Sequence, residues 1–150
     1  MDPMNTVYPH PTTQPEFYAD VPSKRLLAWV FDTIIIFGLS FVAALLTFGL
    51  GFFVFLGIMS IVGLAYRVIT LANTSATWGM RIAAIELRDA NGQPLNLMLA
   101  VLHTLGFYLS FSAFPLQVIS IVLMLTTERK QSLTDMFLGT IAINKSGNRI

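Results

Sequence analysis

Two long blocks of apolar residues organise the chain. Residues 33–66 contain no Asp, Glu, Lys or Arg, and residues 96–127 contain one side chain that could carry charge, His103. About 20 consecutive apolar residues cross the hydrocarbon core of a bilayer, so the first block accommodates two spans and the second exceeds one. Gly49 and Gly51 supply turn residues inside the first block. The pattern predicts helices over residues 26–47 and 50–70, separated by an uncharged turn.

Positive residues flank these blocks in three groups: Lys24 and Arg25 before the first span; Arg67, Arg81 and Arg88 at the end of the second and beyond it; Arg129, Lys130, Lys145 and Arg149 after the last. Basic residues concentrate on the cytoplasmic side of a membrane, which predicts an even number of crossings with both termini in the cytoplasm. As one straight helix, residues 96–127 would be about 48 Å long against a core of about 30 Å, and would export the last basic group. A break between Ser110 and Pro115 is therefore expected, giving a helical hairpin that enters the membrane and returns; a single tilted, kinked helix is the alternative.

Between the blocks the period changes. Ala83, Ile85 and Leu87 alternate with Ala84, Glu86 and Arg88, and Asn91-Gly92 is a strong hairpin-turn pair, with Pro94 limiting the residues beyond it to a short edge strand. Residues 139–144 form another strand-like piece able to pair with it. A small cytoplasmic β-hairpin or sheet is expected. Residues 1–22, rich in proline and without helical periodicity, read as a disordered tail. They are followed by a membrane domain over residues 23–144 and a short tail over 145–150.

Composition narrows the function classes. The chain is 55% hydrophobic and 11% charged, too few charges to cover a water-soluble surface, and its net charge of +1 gives no field for nucleic acid. The absence of cysteine excludes disulfides, thiolate nucleophiles and Cys-type zinc sites. His10 and His103 lack the i, i+4 spacing of paired metal ligands. No metal or cofactor is expected, and no nucleophile and base pair points to an enzyme.

The candidate chemistry lies in a few charged residues at the helix ends. Arg25 and Asp32, seven apart, share a helical face with Trp29, Ile36, Ser40, Ala43 and Thr47. A carboxylate on a membrane helix costs about 3 kcal/mol unless compensated, which makes Asp32 a site candidate by default. On the second helix Gly57, Ser60 and Gly63 lead to Arg67, a competing partner for Asp32. The plain reading of this trio is an ion pair that pins two helices. His103 is a candidate proton relay, or else a core histidine hydrogen-bonded across helices.

Three segments carry a resemblance: KRLLAWVFD at the first span, TWGMRIAAIELRDANGQPL between the blocks, and ERKQSLTDMFLGTIAI near the end. Together they resemble the RDD family of membrane proteins, named for an Arg and two Asp residues, which match Arg25, Asp32 and Asp135. Many members carry Lys where this chain has Met80 and an Arg in the third apolar segment where it has His103. The resemblance implies a bacterial plasma-membrane location and that Asp135 returns near Arg25 and Asp32, giving one cytoplasmic-side cluster of Arg25, Asp32, Arg67, His103 and Asp135.

The expected fold is an all-α integral membrane protein with two full spans, a broken third apolar region and a small β element. Its partners would be the bilayer and a second copy or another membrane protein. The leading expectation for function is a small cation or proton transporter with Asp32 and Asp135 as exchangeable carboxylates tuned by Arg25. The alternative is a non-transporting adaptor or assembly factor in which the cluster is structural. Transport requires a hydrated path from the cluster toward the turn near Gly49; an adaptor requires a dry bundle.

Overall fold

A computed structural model describes residues 8–145; residues 1–7 and 146–150, with Arg149 and most of the expected C-terminal tail, lie outside the described residues. Helix α1 runs over Val21–Leu46, with Pro22 in its first turn, where a missing N–H costs nothing. At 1.5 Å per residue it is about 39 Å long, enough to cross a bilayer and protrude. Helix α2, Phe55–Thr74, follows a 3-10 turn over Leu50–Val54. Gly51 is required there, because a Cβ would sit 2.8 Å from Thr47 Oγ1 and 2.9 Å from Ala44 Cα. These two helices are long and apolar enough to cross a membrane.

Four shorter helices follow: α3 Trp78–Ile82, α4 Leu97–Ser112, α5 Phe114–Thr126 and α6 Leu133–Leu138. The break expected between Ser110 and Pro115 falls at Ala113, and α5 is bent by 115° from α4. Pro115 sits in the first turn of α5, where it starts a helix instead of interrupting one. Two helices, not one tilted helix, therefore form the third apolar region.

Strands β1, Ile85–Arg88, and β2, Ile141–Asn144, pair antiparallel with Ile85 opposite Asn144 and Arg88 opposite Ile141. The expected hairpin at Asn91-Gly92 does not form. Asp89 Oδ1 accepts from the N–H groups of Asn91 and Gln93 to close a tight turn, but the chain then passes Pro94, Leu95 N–H donates to Ser75 Oγ, and Asn96 caps α4. The sheet partner is the strand-like piece expected within residues 139–144.

Residues 8–20, read from sequence as tail, pack on that sheet. Phe17 and Tyr18 are buried with Ile141 and Ile143, Tyr8 donates its hydroxyl to the Gly139 carbonyl, and Asn144 Nδ2 donates to the carbonyls of Glu16 and Ala19. Aromatic area and backbone carbonyls, which have no periodicity to detect, order this segment.

Burial is inverted relative to a water-soluble domain. The main apolar core, including Leu71, Ile85, Leu87, Leu95 and Ala142, gathers α3 and the sheet at one end of the long helices. Along the helices themselves large apolar side chains such as Leu46, Phe53 and Leu56 are exposed, while Asp32, Ser40, Arg67 and His103 are buried. Lipid satisfies the first group, and only protein can satisfy the second. The buried face of α1 runs through Ala28, Asp32, Ile36, Ser40 and Ala44, so Trp29 and Thr47 fall off the expected stripe. On α2 the small-residue surface narrows to Gly63, which packs beneath Tyr108 and Ile36; Gly57 and Ser60 are exposed.

Candidate functional site

Asp32 sits about 10 Å along α1 from Arg25, on the face that meets α2 and α3. Its carboxylate is 3% exposed and accepts hydrogen bonds from Tyr66 Oη at 2.7 Å, Thr77 Oγ1 at 2.6 Å and Gly79 N–H at 2.9 Å. Thr77 is also the N-cap of α3, accepting from Met80 N–H. One carboxylate thus anchors the start of a five-residue helix that could not persist alone. Gly79 belongs to the same junction: a Cβ there would collide with the Ala28 carbonyl and Asp32 Oδ1.

Arg67 supplies the countercharge at a distance. Its Nη1 is 3.9 Å from Asp32 Oδ2, its guanidinium lies 4.0 Å from the centroid of the Phe107 ring, and its Nε has no hydrogen-bond partner. The ring face offsets part of the cation's lost hydration.

Asp135 makes a second centre. Ser132 accepts from Asp135 N–H while Asp135 Oδ2 accepts from Ser132 N–H, a capping box that starts α6. The same oxygen accepts from Arg25 Nη1 at 2.6 Å and from Ser132 Oγ at 2.7 Å. Asp135 Oδ1 lies 2.9 Å from both His103 Nε2 and the donating hydroxyl of Thr140. Burial pushes the carboxyl up, but Arg25, His103 and Ser132 outweigh it and hold the group well below the usual carboxylate range. His103 Nδ1 is buried without a partner.

The five sequence-predicted residues therefore fall into two sets, Asp32 with Arg67 and Asp135 with Arg25 and His103. Among the described residues no ion pair joins Arg25 to Asp32, and the single cluster expected from sequence is corrected to two adjoining ones. Each acid needs more donors than one arginine can direct at both. The residues missed from sequence are Tyr66, Thr77, Gly79, Ser132 and Thr140. The TWG and QSLTD segments, where a hydroxyl precedes a short helix, carried a signal for Thr77, Gly79 and Ser132, but the acceptor for Thr77 lies 45 positions away; Tyr66 and Thr140 carried none.

A cavity of about 530 Å³ adjoins the second centre, bordered by Arg25, Trp29 and Ser132 at one end and by Ser110 and Gln117 at the bend between α4 and α5.

Two long apolar helices, a bent apolar helix pair and buried charges satisfied inside the protein define an all-α membrane protein. The sequence model of the RDD family matches residues 20–139, and the chain belongs to that family. No curated protein and no solved structure matches it.

Proposed function

We propose that this protein is a non-transporting membrane adaptor or assembly factor in which both carboxylate centres hold the fold. One observation carries the reading: the oxygens of Asp32 and Asp135 are occupied by donors from their own chain, on residues 3% and 0% exposed, leaving no open position for a passing ion. An exchangeable carboxylate needs access to water and a proton affinity near the working pH. Asp135 has neither. Ile36, Ser40, Ala44 and Gly63 are packed between the centres and the turn at Gly49, which supports a dry α1–α2 contact.

The arrangement of basic residues supports a multi-pass protein of the bacterial plasma membrane with both chain ends in the cytoplasm. In that orientation the sheet, α3, α6 and residues 8–20 form a cytoplasmic cap available to a partner, and the lipid-exposed faces of α1 and α2 are available to a second copy or another membrane protein. No enzymatic activity is proposed.

Purified protein in liposomes under imposed sodium, potassium and pH gradients tests this. Fluxes equal to those of empty liposomes, together with a lowered stability of Asp135→Asn, are expected. Flux by the native protein that disappears in a well-folded Asp32→Asn or Asp135→Asn variant would restore the transport reading.

A further inference from the structure

We propose that the cavity between α1 and the α4–α5 bend binds one anionic phospholipid, its phosphate at Arg25 and its ester region toward Ser110 and Gln117. This goes beyond the adaptor reading and does not depend on it.

The 115° bend carries α5 away from α1 and leaves the 530 Å³ space open, within the roughly 300–1,000 Å³ of sites for small organic ligands. Two polar side chains on its border lack partners. Ser112 and Thr126, on the same helix pair, donate their hydroxyls to the carbonyl four residues back, as helix hydroxyls in apolar surroundings do. Ser110 is 6% exposed, faces the cavity and makes no such bond, and the Gln117 amide likewise has no hydrogen-bond partner among the described residues. Both groups open onto a space that faces the bilayer's hydrocarbon, where a polar group left unpaired is costly, so an acceptor-bearing occupant is favoured.

Charge selects the kind of lipid. Arg25 has five N–H donors. Asp135 and Ser132 take only two of its terminal contacts, and its side chain remains 18% exposed. No Asp or Glu borders the cavity, so nothing there receives the ammonium group of a zwitterionic headgroup. Access is from the bilayer: Leu26, Phe111 and Leu125 on the rim are 63%, 54% and 60% exposed, continuous with the apolar faces of the long helices. His103 and Ser110, both on the border, are seven residues apart on one helix, about 10 Å of depth, which spans a headgroup and the ester linkages below it.

Trp29 borders the cavity and Trp78 does not, so a Trp78→Phe background makes Trp29 the reporter. In phosphatidylcholine vesicles, dibrominated phosphatidylglycerol is expected to quench Trp29 saturably at a mole fraction on the order of tenfold lower than dibrominated phosphatidylcholine requires. The double variant Ser110→Ala, Gln117→Leu meets the ester region common to both lipids, so it is expected to need a several-fold higher mole fraction of dibrominated phosphatidylglycerol for half-maximal quenching while remaining monodisperse, and inorganic phosphate is expected not to reverse the quenching. Arg25→Ala also frees Asp135, so the double variant carries the test. Equal quenching by the two lipids, an unchanged half-maximal mole fraction in the double variant, or reversal by inorganic phosphate would each overturn the proposal, the last assigning the site to a soluble anion.

Discussion

The two buried aspartates solve the same problem by different means. Asp135 is held in direct contact with a cation, Arg25 at 2.6 Å, inside a local capping box. Asp32 is held by neutral donors from α2 and α3, with its arginine at 3.9 Å and seated over an aromatic ring. The first is an electrostatic joint between α1, α4 and α6, the second a hydrogen-bonded one between α1, α2 and α3. A carboxylate in an apolar setting therefore does not identify its own role; the type and direction of its donors do.

The difference is open to direct test, and Asp135→Ala should have the largest effect. It leaves the Arg25 guanidinium and the Ser132 cap without an acceptor, and is expected to lower stability by about 3–5 kcal/mol, read by denaturant titration in detergent. The same group sets an acid dependence. Its carboxyl is held below its unfolded value of about 3.9, so its contribution is present above that value and lost as pH falls through it toward the folded one. Native protein should lose stability below about pH 4, with a shallower fall in Asp135→Asn.

At the other centre, Asp32→Ala is expected to cost about 2–3 kcal/mol and Asp32→Asn about 1 kcal/mol, since the amide oxygen still accepts from Tyr66 and Gly79 while its NH₂ can donate to Thr77. Equal losses for Asn and Ala would mean that Arg67, despite its distance, dominates there.

The glycines sharpen the contrast further. Gly79→Ala drives a Cβ into the Ala28 backbone and is expected to cost about 1–3 kcal/mol with loss of α3, seen as faster amide exchange at Met80 and Arg81. Gly106→Ala, beside the Asp135 centre, brings its Cβ to 2.5 Å from the short, β-branched side chain of Thr134 instead of onto backbone, and its cost should be about 1 kcal/mol, at the lower end of that range. The smallest effect is expected for Glu86→Gln, which removes the Glu86–Arg88 pair on β1 and should shift stability by less than about 1 kcal/mol, outside both centres.

The apolar pattern alone determined that this is a helical membrane protein, where its two long helices lie, and that the third region breaks near Ala113. Those features depend on residues close in sequence and on the bilayer as solvent, so period and length express them. The resemblance in KRLLAWVFD and QSLTD marked Arg25, Asp32 and Asp135 as important. Only the tertiary structure decided that they form two centres, that Thr77 and Gly79 close on Asp32, and that Tyr8, Phe17 and Tyr18 cover the sheet. These contacts are made by hydroxyls, backbone N–H groups and single aromatics, whose partners are fixed by how the helices and the sheet pack together. A donor without periodicity leaves no sign in the sequence of the acceptor it will meet.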